Sequence, residues 1–398
     1  AQRGSFFGFE TGTLKLDYPR IRARMNEVRE ASHQGLQGWI EGAENVELIF
    51  GEGSFASDKV IQVGENKMTA DHIYLNVGTR PRLPDLPGID EIPWLDSARL
   101  LDQARFPEHL IILGGGYIGI EFAQIYRRFG ARVTLVQRGN QLMPREDADV
   151  AASILEILQE EGVEVLLGAE AQVVNGTAGD IHLGLKQAGK SVTLAGSDLL
   201  LAVGRLPNSY RLALQHTAIQ ANDRGYIQVD DHCQTAVEGV FALGDVNGHG
   251  AFTHTSVNDA EIVLDFLFGG PRTLSQRIPV YALFSDPPLG RVGMSEKEAL
   301  ASGKKVLKAT KPMAEISRAK EMGETKGFAK LLVDGDTDQI LGASILGVGG
   351  DEIINMFAAI MHSGIECRSY RQVVLVHPTV SELMPWVLDG IAEALARG

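Results

Sequence analysis

The middle third of the chain alternates short apolar runs with amphipathic stretches. The run HLIIL at 109–113 has the length of a buried strand, and IEFAQIYRRFG at 120–130 repeats apolar residues at helical spacing and ends in glycine. RVTLV at 132–136 predicts a second strand, and a helix over about 148–160 precedes the strand VEVLL at 163–167. Strands and helices that alternate in this way predict a parallel, doubly wound sheet.

The segments on either side follow other patterns. Before the middle third, we predict one helix over about 19–39 and short strands within VELIFGEGSF at 46–55 and KVIQVG at 59–64. After about position 279 the pattern becomes that of antiparallel strands. GFAKLLVDGDTDQILGASILG at 327–347 predicts a hairpin with Asp334-Gly335 at its turn.

Two segments of the chain are alike. DHIYLNVGTRP at 71–81 and DLLLAVGRLP at 198–207 each lead an apolar strand from an aspartate into glycine, arginine and proline. This echo indicates two similar strand–helix modules in tandem. A further buried strand is predicted at 239–243, where it runs into Asp245. At the carboxyl edge of a parallel sheet this carboxylate could accept hydrogen bonds from ribityl or ribose hydroxyls, or it could only cap a helix.

Composition and charge narrow the function classes. The 398 residues are 44% hydrophobic and 22% charged, which predicts two or three folded domains. The net charge of −14 argues against nucleic-acid or anionic-membrane partners. No apolar window is long enough to span a membrane and AQRGSFFGFE is no signal peptide, so we expect a cytoplasmic protein. The two cysteines, Cys233 and Cys367, predict neither a disulfide framework nor a metal site.

The strongest single motif is a glycine-rich turn. Gly114, Gly116 and Gly119 form GxGxxG between a predicted strand and a predicted helix. Glycines there permit a tight turn and let backbone N–H groups approach a pyrophosphate at the helix N-terminus. Dinucleotide binding is therefore predicted, with a turn that serves packing alone as the alternative.

The residues after the second strand bear on which coenzyme binds. An acidic residue there would accept the ribose hydroxyls of NADH, but this chain has Gln137 and Arg138. A guanidinium can pair with a 2′-phosphate, which favours NADPH. Arg138 could equally be a solvated surface residue, so NADH stays open.

Six motifs, in order, cover nearly the whole chain. They are VGTRP at 77–81, GGGYIGIEFA at 114–123, AVGRLPN at 202–208, FALGD at 241–245, DPPLGRVGMSEKEA at 286–299 and HPTVSE at 377–382. Together they resemble the class I pyridine nucleotide-disulfide oxidoreductases, a family that includes dihydrolipoyl dehydrogenase, glutathione reductase and mercuric reductase-like proteins. GAFTHTSVNDAEIV at 250–263 resembles the mercuric reductase-like, FAD-containing subgroup most.

The resemblance implies an α/β fold with two Rossmann-like domains, for FAD and NAD(P), and an α+β dimerisation domain. The cofactors it implies are FAD and NADP (or NAD), and the partner is a second copy in a homodimer. The implied domains are a partial, N-terminally incomplete FAD-binding domain at 1–105, an NAD(P)-binding domain at 106–229, the second FAD-binding segment at 230–278 and the interface domain at 279–398.

The resemblance also implies roles for single residues. Tyr117 would cover the nicotinamide pocket, and Glu121 would lie near the flavin N5. Asp245 would bind the ribityl or pyrophosphate part of FAD. The remaining implied cofactor-binding residues are Gly53, Gly78, Thr79, Arg80, Gly115, Ile118, Gly204, Arg205, Thr253 and His254.

HPTVSE supplies the predicted catalytic pair. In the family, the histidine of this motif reaches the other subunit's active site as the acid–base catalyst, and the glutamate orients its ring; here these are His377 and Glu382. Such a base suits dithiol–disulfide exchange, because one thiol must lose a proton and another must gain one. The alternative is structural, since Thr379 and Glu382 also form a T-x-x-E capping box.

The chain departs from the family at its start. The family's first GxGxxG, its CxxxxC redox pair and a lysine partner for Glu121 are missing, and SFFGFETG at 5–12 resembles the segment that follows the redox helix. We therefore expect these residues to bind FAD poorly, to lack disulfide turnover and to expose the strand at 239–243. A mercuric ion reductase and a non-catalytic dinucleotide-binding scaffold or inactive fragment are the alternative functions.

Overall fold

The computed structural model describes residues 3–10, 12–13 and 15–391, apart from the side chain of Leu383; Thr11 of SFFGFETG and residues 392–398 of the predicted interface domain lie outside them. The strands are β1 Gly53–Ser57, β2 Val60–Val63, β3 Asn66–Thr69, β4 Ile73–Leu75, β5 Thr79–Pro81, β6 His109–Leu113, β7 Arg132–Gln137, β8 Glu164–Leu167, β9 Ala169–Thr177, β10 Asp180–Gln187, β11 Lys190–Gly196, β12 Asp198–Leu201, β13 Arg205–Pro207, β14 Val240–Ala242, β15 Val280–Leu283, β16 Leu289–Gly293, β17 Val306–Pro312, β18 Phe328–Asp334 and β19 Ile340–Leu346. The α-helices are α1 Tyr18–Glu41, α2 Ser97–Asp102, α3 Tyr117–Arg128, α4 Ala148–Glu160, α5 Thr253–Leu267, α6 Glu296–Ala301, α7 Ser317–Glu321, α8 Gly350–His362, α9 Cys367–Tyr370 and α10 Met384–Val387.

The chain forms two compact units. The first comprises Ala1–Leu16, Pro84–Val203 and Ile278–Gly398, and the second comprises Asp17–Leu83 and Gly204–Arg277. The predicted domain boundaries at 105/106, 229/230 and 278/279 divide the chain by the cofactor that each segment binds, and they stay a prediction. No described helix is both long and apolar enough to cross a bilayer.

The first unit contains the predicted parallel sheet. Its strand order is β12-β6-β7-β8, and all of its pairs are parallel. Helix α3 connects β6 to β7 and α4 connects β7 to β8, so the predicted alternation is confirmed. Strands β6, β7 and β12 are buried on both faces, as their continuous apolar runs require, while β8 at the edge of the sheet is only partly buried. Gly130 follows α3 with φ +102°, the left-handed conformation that ends many helices.

A three-stranded antiparallel sheet, β11-β10-β9, follows the parallel strands, and the sequence did not predict it. Its two connections are tight turns at Gly179 and Gly189, both with positive φ. One face of the sheet packs Val174, Ile181 and Leu183 into the apolar core of the parallel sheet. The alternating apolar residues of β10 were the signal that could have revealed it.

The rest of the first unit is built on a five-stranded antiparallel sheet. Its order is β15-β16-β19-β18-β17, and the predicted hairpin is the β18–β19 pair. Helix α8 packs on this sheet at very close range. A Cβ on Gly290 would lie 2.1 Å from the carbonyl oxygen of Gly350, so only glycine fits between strand and helix.

The second unit pairs the two alike segments. β5 and β13 form an antiparallel pair in which Thr79 faces Pro207, and β14 pairs in parallel with β4. The strand predicted within 46–55 begins only at Gly53. The apolar residues before it are exposed and pair with no described strand, which is why their β-forming sequence remains irregular.

The expectation that the strand at 239–243 is exposed is wrong. Residues Val240–Ala242 are buried. Their second edge is covered by the chain at 233–235, where Ala242 N donates to Cys233 O at 2.9 Å and Thr235 N donates to Val240 O at 2.8 Å. The backbone groups of the strand are thus satisfied inside the second unit.

A buried ion network joins the N-terminus of α4 to the five-stranded sheet of the first unit. The Lys330 ammonium, whose side chain is only 1% exposed, lies 2.7 Å from carboxylate oxygens of both Asp147 and Asp149. A carboxylate oxygen of Glu296 lies 3.5 Å from the same nitrogen. The other oxygen forms an ion pair with the ammonium of the exposed Lys308 at 2.6 Å. Because Asp147 is buried too, its charge depends on this lysine for compensation.

We predict that Lys330→Met lowers the free energy of unfolding by about 3–5 kcal/mol, because it removes the nearest cation from the buried carboxylate of Asp147. Lys308→Met is the matched control and should cost at most ~1 kcal/mol, since that pair is solvent-exposed. Urea denaturation of both variants measures the difference. Equal losses would contradict the assignment of the network's stability to Lys330.

Candidate coenzyme and catalytic sites

The glycine-rich turn follows β6 and presents the N-terminus of α3. Gly114 has φ +114°, and a Cβ there would lie 2.4 Å from the carbonyl oxygen of Ala202. A Cβ on Gly119 would lie 2.0 Å from the carbonyl oxygen of Gly114, so this glycine lets the helix pack on the turn. A Cβ on Gly116, by contrast, would meet no atom within 4 Å. Gly116 therefore faces open space at a helix N-terminus, which fits a bound diphosphate.

Gln137 ends β7 beside this turn, and Arg138 follows it. The Gly115 N–H donates to Gln137 Oε1 at 3.0 Å, so the glutamine side chain buttresses the turn. Arg138 is exposed and forms no hydrogen bond or ion pair with any described residue. The free guanidinium thus stands at the strand end where the adenosine ribose of a dinucleotide binds.

A cavity of about 530 Å³ borders the carboxyl ends of β7 and β8. This is the edge at which parallel sheets bind ligands. Its lining is Asn140, Leu167, Gly168, Gln187, Ala188, Lys190 and Val192. None of these was predicted as a site residue, and four of the seven come from β10, β11 and the turn between them, which the sequence did not reveal.

Tyr117 is the first residue of α3, and Ile118 follows it. The Tyr117 hydroxyl donates to Glu146 Oε1 at 2.7 Å. Tyr281 donates to the same oxygen at 2.6 Å, and the two rings lie 5.8 Å apart between centroids. The sequence singled out Tyr117 alone.

Glu121 lies one helical turn further along α3. Its Oε1 accepts a hydrogen bond from the Phe284 N–H at 2.9 Å. Burial raises the pKa of the carboxyl above its ordinary value. Among the described residues no cation forms an ion pair with Glu121. Its carboxylate can therefore bind a charged or hydrogen-bonding ligand.

In the second unit, three predicted residues come together. Thr79 Oγ1 donates to Asp245 Oδ2 at 2.6 Å and accepts from Arg205 Nε at 2.7 Å. The other carboxylate oxygen of Asp245 makes no hydrogen bond with a described residue. It is free to accept a ligand hydroxyl, which fits the ribityl or ribose part of FAD.

A buried carboxylate that the sequence did not single out shapes the turn that carries Asp245. Asp259 Oδ2 accepts from the Gly244 N–H at 2.7 Å and from Asn247 Nδ2 at 2.8 Å, while its other oxygen pairs with Arg277. The signal was present as the aspartate of SVNDAE, but only the fold shows that it faces inward.

The remaining predicted FAD residues make no hydrogen bond to Asp245 among the described residues. Arg80 stacks over the Tyr210 ring at 3.8 Å and donates to the Pro207 carbonyl at 2.7 Å, which is a structural role. Gly78 and Gly204 have positive φ in the turns beside β5 and β13, and Gly53 opens β1. Thr253 and His254, both exposed, begin α5.

His377 and Glu382 form the predicted pair. His377 Nδ1 lies 2.9 Å from both oxygens of the Glu382 carboxylate. The imidazole side chain is 78% exposed, while that of the glutamate is only 11% exposed. Half of the capping box is present as well, because the Glu382 N–H donates to Thr379 Oγ1 at 3.2 Å. The carboxylate of the box, however, holds the imidazole.

The two cysteines are not redox candidates. Both thiols are buried, and burial raises the pKa of each to about 12. Cys233 belongs to the second unit and Cys367 to the first. Thiols with a raised pKa of this kind are protonated at neutral pH.

Comparison with known proteins decides the family. Residues 13–260 match the model described as "Pyridine nucleotide-disulphide oxidoreductase", and residues 280–388 match its "dimerisation domain". The chain belongs to the pyridine nucleotide-disulphide oxidoreductases. The predicted fold, the enzyme class of flavin-dependent oxidoreductases and the cofactor pair of FAD and a pyridine nucleotide are thereby confirmed.

Individual relatives agree with this oxidoreductase assignment. The chain is 36% identical over 373 residues to the "Probable pyridine nucleotide-disulfide oxidoreductase RclA" of Escherichia coli K12, covering 92% of this chain and 84% of that one. It is 28% identical to the dihydrolipoyl dehydrogenase of Geobacillus stearothermophilus, covering 96% and 82%, and 27% identical to the mercuric reductase of Bacillus cereus, covering 96% and 61%. The solved "HOCl-induced flavoprotein disulfide reductase RclA" from Escherichia coli matches with a TM-score of 0.87 and 34% identity, covering 95% of this chain and 86% of that one.

The turn glycines offer a matched test of the coenzyme site. Gly116→Ala should leave the unfolding midpoint nearly unchanged and weaken NAD(P)H binding about tenfold or more, because the new methyl group enters the open space over the helix N-terminus. Gly119→Ala should instead lower stability by about 1–3 kcal/mol, since its methyl group meets the Gly114 carbonyl. Calorimetric titration and thermal melts of both variants separate the effects. Unchanged NAD(P)H affinity of Gly116→Ala would contradict the site.

Proposed function

We propose that this oxidoreductase transfers electrons from NADPH through FAD to a disulfide, working as a homodimer in which His377 serves the partner subunit's active site. The observation that supports this most is the exposed imidazole of His377, held at Nδ1 by a nearly buried carboxylate. The names of the relatives support disulfide reduction as the reaction class.

FAD, when bound, accepts hydride from the reduced nicotinamide and passes the electrons to a disulfide. The residues that would hold it in this chain are Asp245, through its unused oxygen, and the N-terminus of α5 at Thr253 and His254. Thr79 and Arg205 orient the Asp245 carboxylate, so that oxygen is presented in a fixed direction.

NADPH is the proposed electron donor. Gln137 is committed to the Gly115 N–H and carries no charge, so it cannot act as the carboxylate that selects NADH. Arg138 has no partner among the described residues and can pair with a 2′-phosphate. The net charge of −14 makes such an unpaired cation the natural local anchor for an anion.

His377 is the proposed acid–base catalyst. A carboxylate can only accept, so Nδ1 carries the proton that points to Glu382. In the neutral ring Nε2 then has the free lone pair, and it can take a proton from an attacking thiol and return it to a leaving thiol. Glu382 holds the ring in that tautomer and stabilises the imidazolium.

The surroundings of His377 support contact with a second subunit. Val374 and Val376 precede it and are 95% and 76% exposed, and Trp386 beyond it is also exposed. Large exposed apolar side chains near one another in the chain are typical of a surface that a partner covers. The match of residues 280–388 to a dimerisation domain identifies that partner as a second copy.

The alternative functions fit the sites less well. A protein that only binds a dinucleotide does not need an imidazole that a carboxylate orients, such as that of His377. Mercuric ion reduction calls for thiolates that hold the metal, and both cysteines of this chain are buried with raised thiol pKa values. Disulfide reduction also needs a redox-active cysteine pair, which Cys233 and Cys367 do not form, so the oriented imidazole of His377 is the feature that favours it.

Coenzyme choice is tested at the end of β7. Arg138→Gln should lower kcat/KM for NADPH by about 10–100-fold, because one charge-assisted contact with the 2′-phosphate is lost, and should change kcat/KM for NADH by less than about twofold. Arg132→Gln, at the other end of the same strand, is the control and should leave both constants unchanged. Parallel losses with both coenzymes would count against the NADPH assignment.

The acid–base role is tested with a histidine pair. His377→Gln should lower kcat for disulfide turnover of the flavin-loaded enzyme by about 10²–10⁴-fold while flavin reduction by NADPH keeps its rate, since only the thiol steps need the base. The control His362→Gln changes another exposed histidine of the same domain and should have no effect. Stopped-flow spectroscopy resolves the two half-reactions, and normal turnover of His377→Gln would refute the role.

A further inference from the structure

The hydroxyl of Tyr117 is fixed to residues that lie far away in the sequence. Glu146 Oε1 accepts from Tyr117 at 2.7 Å and from Tyr281 at 2.6 Å. Glu146 is buried, and its other oxygen faces the buried Arg291 at 3.4 Å as an ion pair. One oxygen of a single carboxylate thus holds both phenols.

This arrangement opposes any movement of the Tyr117 ring, because the movement would break hydrogen bonds of buried groups. Burial raises the pKa of both phenols, that of Tyr281 to about 12, so both hydroxyls are protonated donors at neutral pH. If the Tyr117 ring swung away, a buried carboxylate would lose a hydrogen bond, and such a loss is costly. The neighbouring Tyr281 ring, 5.8 Å away, also limits where the Tyr117 ring can go.

Tyr117 lies beside the place where we expect the dinucleotide to bind. It directly follows Gly116, the glycine that faces open space, and it is the first residue of α3. Arg138 marks the adenosine end of the site at β7, and the diphosphate lies at the turn, so the nicotinamide half lies beyond the turn. A ring fixed beside Gly116 therefore borders that half.

We propose that Glu146 and Tyr281 are positioning residues that keep the Tyr117 ring as a preset wall for the nicotinamide half of the coenzyme. Because Tyr281 lies on β15, the first strand of the dimerisation domain, that domain then helps to determine coenzyme affinity. This inference rests on the proposed function, since it needs a nicotinamide coenzyme at the turn. It assigns a role to Glu146 and Tyr281, which lie far from the glycine motif in the sequence and for which the sequence predicted no function.

If the Tyr117 ring is already fixed before the coenzyme binds, binding does not lose the entropy of ordering that ring. Tyr281→Phe removes one hydroxyl and keeps the ring, and Tyr117→Phe removes the tethered hydroxyl itself. Tyr117→Phe breaks the tether itself, and Tyr281→Phe removes the hydroxyl that shares Glu146 Oε1 and interacts with the Tyr117 hydroxyl. Each change therefore loosens the Tyr117 ring and should weaken binding of the whole coenzyme only. Since both act through one carboxylate, their combined effect should be smaller than the product of the single effects.

The test measures Kd by calorimetry with two probes, NADPH and 2′,5′-ADP, which lacks the nicotinamide half. We expect Tyr281→Phe and Tyr117→Phe each to weaken NADPH binding about tenfold and to change 2′,5′-ADP binding by less than about twofold. Tyr370→Phe, a buried tyrosine in the same domain, is the control and should change neither. A thermal melt of each variant accompanies the titrations.

Three results for Tyr281→Phe would overturn the inference: equal losses with both probes, which would show general damage; no change with either; or tighter NADPH binding, which would make the ring a barrier. A wild-type protein that binds 2′,5′-ADP no better than 5′-AMP would overturn the NADPH assignment instead, and the tether would then be judged with NADH in place of NADPH. Wild-type protein that binds no nicotinamide coenzyme would overturn both the proposed function and the tether.

Discussion

The close approach of helix α3 to the end of strand β6 is the constraint on which the coenzyme site depends. At Gly119 the helix backbone lies so near the carbonyl of Gly114 that no side chain fits between them. That contact brings the N-terminus of α3 to the strand end and leaves Gly116 open. The orphan N–H groups of the helix then face the open space at Gly116, and an anion can satisfy them.

Carboxylates do most of the orienting around the sites. Glu382 holds His377, Asp259 shapes the turn of Asp245, and Glu146 binds two tyrosines. Each accepts more than one hydrogen bond or pairs with a cation, so its position is set by several groups at once. A residue that acts on a ligand is thus fixed by a second, less exposed residue, which fits a site whose geometry is set before the ligand arrives.

The sequence predicted the elements whose signals are local. The alternation of β6, α3, β7, α4 and β8, the turn glycines and the His377–Glu382 pair all follow from runs and motifs of fewer than about fifteen residues. It did not reveal the sheet β9–β11, and it placed a strand too early, at apolar residues that stay exposed. It also missed Glu146, Tyr281 and Asp259. Their roles come from pairings between residues more than ten positions apart, and a single sequence carries no signal for those.

Mixed dimers test the central claim that the coenzyme site of one subunit works with the histidine of the other. His377→Gln subunits keep the glycine turn, and Gly116→Ala subunits keep the histidine, so each homodimer should have little disulfide turnover when the NADPH concentration is held well below the Kd of the Gly116→Ala variant. After subunit exchange, half of the dimers should be mixed and each should regain one complete site, giving about a quarter of wild-type activity. A mixture with no more activity than the two parent variants would contradict the account.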